Sequence, residues 1–232
     1  MVDPGGIELF PTKGIEYLLV IGYLIALVVF VQLMRGVRRP AAAASFARAR
    51  DRRPSRWFDL SEAVYYHPGH SWALPEGGNV VRVGVDDFAQ KLIGMAGGVQ
   101  LPEVGARLEQ GRPAWGFQVD GRSFAQLAPV DGEVVSRNEA LLADPTLVNR
   151  DPYGAGWLLE IKGSRLDPNL KTLLRGDLAR AWMRTSEEAL FRLMPREVGA
   201  VMQDGGVPVS GIARAISPER WDRIATDFLL TS

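Results

Sequence analysis

The first strongly patterned stretch of the chain is an unbroken apolar run over residues 17–31, which reads YLLVIGYLIALVVFV. Extended to residues 15–34, the run holds 20 residues, about the length that a helix needs to cross a hydrocarbon core of about 30 Å. A cleaved signal peptide is the alternative, but it would have a shorter apolar core, with basic residues before it and a small-residue cleavage site after it. The pattern therefore predicts a retained transmembrane helix over residues 15–34.

The charges on either side of this run predict its orientation. Acidic residues outnumber Lys13 before the run, whereas residues 35–56 contain eight arginines and a single acidic residue, Asp51. Positively charged flanks remain in the cytoplasm. We therefore expect a single-pass protein of the inner (cytoplasmic) membrane, with residues 1–14 outside the cytoplasm and the main domain inside it. Gly22 and Ala26 form a small-xxx-small pair, which makes them candidate contacts with another helix.

Residues 35–56 have no apolar stripe and carry prolines near both ends, so they predict a basic linker. Arg35, Arg38 and Arg39 directly follow the apolar run, and we expect them to contact anionic lipid headgroups, at about 1 kcal/mol for each basic residue near the surface. An arm for nucleic acid is the alternative, but no aromatic interleaving or binding motif accompanies the arginines. The formal net charge of zero also provides no global field for such a partner, so we expect no nucleic acid.

Residues 57–175 contain short alternating segments bounded by Gly, Pro and Asp, which are typical of β-strands. The expected strands read NVVRVGV (79–85, after a turn at 75–78), AWGFQV (114–119), GEVVSRN (132–138) and GWLLEIKG (156–163). Residues 86–93 predict a short helix that opens with the capping residue Asp86. Many short strands at regular spacing predict a small antiparallel barrel or sandwich.

Candidate chemistry is sparse. The chain has no cysteine, which excludes disulfides, thiolate metal sites and cysteine nucleophiles. His67 and His70, in the stretch YYHPGH, are candidates for metal ligands, but no acidic or thiol partner accompanies them, and a site needs three or four ligands. We therefore favour packed or surface histidines and no metal. No nucleophile and base are placed together, so we expect no enzymatic activity.

Several blocks of the middle region occur in an order that resembles the H protein of the glycine cleavage system. The blocks read HSW (70–72), VRVGVDDFAQKLIG (81–94), QLPEVGARLEQG (100–111), PVDGEVVSRNEAL (129–141) and PTLVNRDPYGAGWLLEIK (145–162). The resemblance covers roughly residues 61–175. It implies a mainly β, lipoyl-domain fold of the barrel-sandwich hybrid type for residues 57–175.

The resemblance also implies where a cofactor would be attached. In the family, a hairpin lysine eight residues before the Pro-Val-Ser-Gly-Glu block carries the lipoyl group, and the same spacing from Pro129 leads to Gly121. Glycine offers no amine, and the guanidinium of the adjacent Arg122 stays protonated and is no substitute. The chain has only four lysines, Lys13, Lys91, Lys162 and Lys171. We therefore interpret Gly121 as a degenerate lipoyl position and expect no cofactor.

Residues 176–232 predict a helical C-terminal extension. Apolar spacing over residues 170–194 predicts a helix, with a capping box at residues 185–188 that would start a second one. Residues 217–232 predict a further amphipathic helix with Pro218 in its first turn. Its apolar face packs either on the chain's own domain or on a partner, and we favour the chain's own core.

Two classes of function remain. The first is a non-catalytic structural subunit that docks its cytoplasmic domain onto a larger membrane complex, with respiratory and photosynthetic electron-transfer complexes as candidates by analogy. Arg122 and Phe124, beside the altered hairpin turn, are the candidate partner contacts. The second class is a regulatory or lipoyl-carrier relative of the glycine cleavage H protein that acts at the membrane. We favour the first, because the anchor is retained and the amine is missing.

Overall fold

The computed structural model describes residues 19–24, 26–27, 57–194 and 210–231. The chain divides into two compact units, Met1–Arg52 and Arg53–Ser232. The described residues of the first unit, Gly22 and Ala26 among them, are helical and exposed. Within the described ranges, none of the helices combines the length and the apolar character that a membrane crossing requires. Most of the predicted span and all of the basic linker lie outside these ranges, so the anchor stays a prediction.

The second unit is built on two antiparallel sheets. In chain order its strands are β1 (Tyr65–Tyr66), β2 (Ser71–Gly77), β3 (Val80–Val85), β4 (Gly98–Gln100), β5 (Arg107–Leu108), β6 (Pro113–Val119), β7 (Arg122–Leu127), β8 (Gly132–Arg137) and β9 (Leu159–Gly163). One sheet has the order β1-β2-β3-β9-β8-β5, and the other has the order β4-β6-β7. Buried side chains of both sheets join one core, for example Val83 and Ile161 with Phe117. Of the two predicted architectures, a small antiparallel barrel or a sandwich, the structure has the sandwich.

The described helices of this unit lie between the strands and after them. In chain order they are α1 (Asp87–Ile93), α2 (Glu139–Ala143), α3 (Leu147–Arg150), α4 (Leu166–Thr172), α5 (Asp177–Leu193), α6 (Ile212–Ile216) and α7 (Trp221–Leu229). The predicted short helix is α1, and Asp86 caps it as expected, because its carboxylate accepts the backbone N–H of Ala89 at 2.8 Å. Phe88 and Leu92 of α1 are completely buried in the core.

The turn between β2 and β3 lies later than the sequence indicated. Residues 75–77 belong to β2, and a register shift between Pro75 and Gly77 accommodates the irregular segment as a bulge. Gly78 and Asn79 make the turn, with φ values of 58° and 62°. The run Pro-Glu-Gly-Gly therefore marks the bulge as well as the turn.

The C-terminal extension is helical as predicted, but its boundaries differ. The helix predicted over residues 170–194 is interrupted, because α4 ends at Thr172 and α5 begins only at Asp177, after Gly176 with a φ of 57°. Helix α5 is continuous through the predicted break at residue 185, since the Thr185 hydroxyl donates to the Ala181 carbonyl at 3.1 Å and the residue is accommodated inside the helix. The short helix α6 was not predicted. Ser217 follows its last turn, and α7 begins only at Trp221, after Pro218.

Helices α6 and α7, called the terminal helix pair below, pack on the chain's own domain. Ile212, Trp221 and Leu229 are buried in the same core as the strands. The preference for packing within the chain, drawn from the apolar spacing, is confirmed.

Candidate functional site

The altered hairpin joins β6 to β7 through Asp120 and Gly121. Val119 and Arg122 face each other in the strand register, so the turn consists only of Asp120 and Gly121. Their φ values are 46° and 76°, in the positive region that tight two-residue turns with an Asp-Gly sequence require. The turn therefore closes the two strands tightly instead of presenting a lysine.

The space around Gly121 is open. No heavy atom lies within 4 Å of the place where a Cβ at Gly121 would sit. A longer side chain would thus meet no obstacle there, and its cost would be the strain of a positive φ. The fold leaves room for a side chain at position 121. What this turn lacks is therefore the lysine itself and not the space for one.

Two ion pairs connect the terminal helix pair to the two sides of the turn. Asp120 pairs with Arg214 of α6, and Arg122 pairs with Asp222 of α7. The signs are reciprocal, because the hairpin supplies one anion and one cation and the helices supply their opposites. The four side chains are between 34% and 59% exposed, so each pair contributes at most about 1 kcal/mol. Their main effect is to fix the register of the helices on the hairpin.

An aromatic contact lies beneath these ion pairs. The rings of Phe124 and Trp221 pack with centroids 5.0 Å apart, and the guanidinium of Arg214 lies 4.6 Å from the centroid of the Trp221 ring. The side chain of Phe124 is only 1% exposed. Phe124 therefore offers an outside partner almost no surface, and its ring makes an internal contact with α7. Arg122 is 49% exposed and stays accessible from outside.

An open cleft of about 420 Å³ follows the seam between β7 and α7. It is lined by Arg122, Ser123, Phe124, Asp222, Arg223 and Thr226. Most of these side chains are charged or hydroxylic, which suits a polar protein contact better than an apolar ligand.

The described lysines lie away from the hairpin turn. Lys91 is in α1, where its Nζ lies 2.6 Å from Asp87 Oδ2 and 3.2 Å from the carbonyl oxygen of Trp57. Lys162 is within β9 and Lys171 is within α4, whereas Lys13 falls outside the described residues. Of the lysines in the described ranges, none occupies the position from which a hairpin arm would extend.

The two histidines take part in packing and hydrogen bonding. His70 Nδ1 lies 2.8 Å from Asp86 Oδ2, with both side chains buried, and its ring stacks on Phe88 at 4.1 Å. His67 Nδ1 accepts the backbone N–H of Gly69 at 3.0 Å. Burial, followed by the nearby His70, lowers the pKa of His67. Among the described residues, no group of three or more His, Asp or Glu side chains could hold a metal ion.

The motif around Trp72 has a structural role. The indole of Trp72 is completely buried and donates its N–H to the carbonyl of Val85 at 2.8 Å. Gly84 lies directly against this ring, since a Cβ at Gly84 would come within 2.4 Å of it. The tryptophan of HSW and the glycine of VRVGV therefore depend on each other across neighbouring strands.

The block at residues 145–162 fixes two loops. The side-chain amide of Asn149 donates to the carbonyl of Gly94 at 3.0 Å, and its oxygen accepts the backbone N–H of Ala96 at 3.0 Å. The Asp151 carboxylate accepts the N–H of Gly154 at 3.0 Å. Gly156 lies so close to this turn that a Cβ would come within 2.6 Å of the Asp151 carbonyl oxygen. These residues hold the loops of the fold in place, and this role does not depend on the residues of the hairpin turn.

The two-sheet sandwich, its hairpin and these loop-fixing residues define an H-protein-like, lipoyl-domain type of fold. A sequence model described as "Glycine cleavage H-protein" matches residues 64–186, more than half of the chain. The chain belongs to the glycine cleavage H-protein family.

Two relatives, matched by sequence, agree with this assignment. The glycine cleavage system H protein of Mycobacterium avium (strain 104) is 45% identical over 107 residues, which cover 46% of this chain and 80% of the relative. That of Thermus thermophilus is 42% identical over 104 residues, with coverages of 45% and 80%. A crystal structure of a glycine cleavage system H protein from Mycobacterium marinum is 31% identical, with a TM-score of 0.42, and covers 45% of this chain and 87% of that one.

The terminal helix pair lies beyond the residues that the family model matches. Its contacts with the hairpin, through Arg214, Trp221 and Asp222, were not foreseen from the sequence. The only signal was the apolar spacing of residues 217–232, which indicates burial but does not identify the buried surface. An element outside the family match therefore holds the hairpin of the family fold.

Proposed function

We propose that this chain is a non-catalytic, non-lipoylated accessory subunit of a larger membrane complex. It is anchored in the inner membrane by residues 15–34 and docks its H-protein-like domain onto the complex from the cytoplasmic side. The observation that carries the proposal is the hairpin turn, where Gly121 stands at the carrier position between two ion pairs to the terminal helix pair. An attached arm needs an amine, and neither Asp120 nor Gly121 in this turn offers one.

The positions of the three described lysines support the absence of a lipoyl group. The side-chain nitrogen of Lys91 is engaged by the Asp87 carboxylate and by the carbonyl oxygen of Trp57. Lys162 and Lys171 belong to a strand and a helix. A swinging arm on either would start from a regular element and not from a turn.

A binding role is supported by what the domain keeps. The β-sandwich and the motif residues that fix its loops are intact, and the seam beside Arg122 is open and polar. The basic linker and the apolar run of the sequence support presentation at a membrane surface. Respiratory and photosynthetic electron-transfer complexes are the candidate partners, by analogy with their one-span accessory subunits.

Co-purification tests this proposal. The native chain is extracted from its own membranes in a mild detergent, and the proteins that remain bound to it are identified. We expect integral membrane subunits in stoichiometric amounts. Soluble enzymes of one-carbon metabolism, bound in place of membrane subunits, would contradict the proposal and support a regulatory relative of the H protein.

Charge-swap variants test whether Arg122 contacts the partner. Arg122→Glu removes the ion pair with Asp222 and also changes the outer surface. The double variant Arg122→Glu with Asp222→Arg restores an internal pair of reversed sign and keeps a changed surface. If Arg122 contacts the partner, assembly is weakened in both variants. If assembly recovers in the double variant, Arg122 acts only within the chain.

A further inference from the structure

Residues 57–61, called the strap below, directly follow the basic linker in sequence and are fixed to the domain through their main chain. The hydrogen bonds are Asp59 N to Asp87 Oδ2 (2.8 Å), Tyr153 hydroxyl to Asp59 O (2.7 Å), Ser61 N to Tyr66 hydroxyl (2.7 Å) and Lys91 Nζ to Trp57 O (3.2 Å). Burial raises the pKa of the Tyr153 hydroxyl, which keeps it protonated as a donor to Asp59. The strap lies before the first residue of the family match.

Helix α1 provides much of the surface that receives the strap. The rings of Phe58 and Phe88 pack with centroids 4.6 Å apart, and the Lys91 ammonium lies 5.7 Å from the centroid of the Phe58 ring. The carboxylate of Asp87 binds both the strap and Lys91, through the same oxygen. One helical turn of α1 thus holds the strap by aromatic and polar contacts together.

The same turn of α1 also receives the terminal helix pair. The ring of Phe88 packs on Phe228 of α7 with centroids 5.3 Å apart. The carbonyl oxygen of Lys91 accepts the backbone N–H of Gly211, just before α6, at 2.7 Å. Gly94, at the end of α1, lies so close to Gly211 that a Cβ on it would come within 3.3 Å of the Gly211 Cα.

We infer that α1 couples the strap to the terminal helix pair, so that the seating of the strap determines how firmly the pair holds the hairpin. Phe88 and Lys91 each contact both elements, and α1 is a single, largely buried helix of seven residues. A small movement of α1 must therefore alter both interfaces, because packed contacts of this kind do not deform independently. The strap continues directly from the residues predicted to lie at the membrane. This coupling belongs to the chain alone and does not depend on the proposed function.

Hydrogen exchange of the full-length chain tests the coupling. Phe58→Ala removes the aromatic contact of the strap. Lys91→Met removes the ammonium contacts but keeps the backbone carbonyl that binds Gly211. We expect either variant to accelerate amide exchange in α7 by about threefold or more relative to β8 and β9, beyond the scatter of independent sites. Ser61→Ala is the matched control, since it alters the strap away from α1, and it should leave α7 unchanged.

The contradicting results are distinct. Acceleration confined to the strap would show that the two interfaces are independent, and equal acceleration in β8 and β9 would show a general loss of stability. A double-mutant cycle of Lys91→Met and Phe228→Ala gives a second measurement. Coupling predicts that their combined effect on the unfolding equilibrium constant departs from the product of the single effects by about threefold or more. Agreement with that product would overturn the inference.

Discussion

At position 121 a glycine occupies a turn with a φ of 76°, and there is open space where a side chain would point. Its two neighbours are charged and are both engaged by the terminal helix pair. Gly121 therefore leaves the turn without an amine, whereas Asp120 and Arg122 attach the hairpin to the terminal helix pair. A change at this single position should affect the backbone locally and leave the packing below intact.

Replacing Gly121 by lysine should destabilise the folded chain by about 1–2 kcal/mol, because the backbone keeps a left-handed conformation that costs an L-residue this much. Gly121→Asn is the matched control and should cost less, since asparagine is enriched in this conformation. Equilibrium chemical denaturation measures both values. A loss of more than about 3 kcal/mol in Gly121→Lys would mean that the side chain clashes, and would contradict the open turn.

His67 should make the stability of the domain depend on pH. Burial lowers its pKa in the folded state, so the unfolded chain takes up a proton first as the pH falls through about 6.5. The contribution of His67 to the free energy of unfolding is complete above this pH and is lost as the pH falls towards the lower folded pKa. In His67→Asn, Oδ1 can replace Nδ1 as acceptor for Gly69 and does not titrate.

Denaturation at a series of pH values from about 8 to about 5.5 checks this prediction. The native chain should lose more stability over this range than His67→Asn does. Parallel pH profiles for the two proteins would contradict the assigned role of His67, because every other titratable side chain is the same in both.

Among the elements, the hairpin and the terminal helix pair form one packed unit. The charged residues Asp120 and Arg122 are at its surface, and Phe124 and Trp221 are inside it. The buried rings contribute most of the stability of this unit, and the exposed ion pairs contribute its register. Substitutions of the buried rings should therefore lower the free energy of unfolding much more than substitutions of the exposed ion pairs.

Phe124→Ala should destabilise the chain by about 3–5 kcal/mol, because it removes a buried ring and leaves a cavity against Trp221. Val135→Ala is the matched control, since Val135 is 39% exposed on β8 and its loss should cost about 0.5 kcal/mol or less. Thermal or chemical unfolding gives both values. A cost for Phe124→Ala as small as that of the control would mean that α7 does not cover this ring in solution.

Arg122→Glu should cost at most about 1 kcal/mol, and adding Asp222→Arg should restore most of the loss. The effect should shrink as salt is raised, because exposed charges are screened. Unfolding measured at low and high ionic strength checks this expectation. No recovery in the double variant at low salt would contradict the pairing of the two side chains.

The sequence identified the elements whose patterns are local. Alternation predicted β3, β6 and β8, and a capping residue with helical spacing predicted α1. The sequence missed the bulge at the end of β2, the continuity of α5 through Thr185 and the short helix α6, because tertiary packing and side-chain hydrogen bonds decide these. Spacing from Pro129 located Gly121, but the contacts of Arg122 and Phe124 with α7 join residues about a hundred positions apart and leave no local signal.

At the scale of the whole molecule, described segments on both sides of the family match pack on the family domain. The strap precedes the family match and the terminal helix pair follows it, and both contact α1. The glycine at position 121, the hairpin held by two ion pairs and the predicted membrane anchor are the grounds of the proposal that this domain serves assembly. Relatives that match this chain are glycine cleavage system H proteins, and the proposed accessory role rests on Gly121 and on the contacts of the terminal helix pair.

The intact mass of the native protein, purified from its own membranes, tests the central claim most directly. The account predicts the mass of the unmodified polypeptide, with no lipoyl group on Lys13, Lys91, Lys162 or Lys171. A mass increased by one lipoyl group, located on any of these lysines by fragmentation, would contradict it and would establish the chain as a carrier.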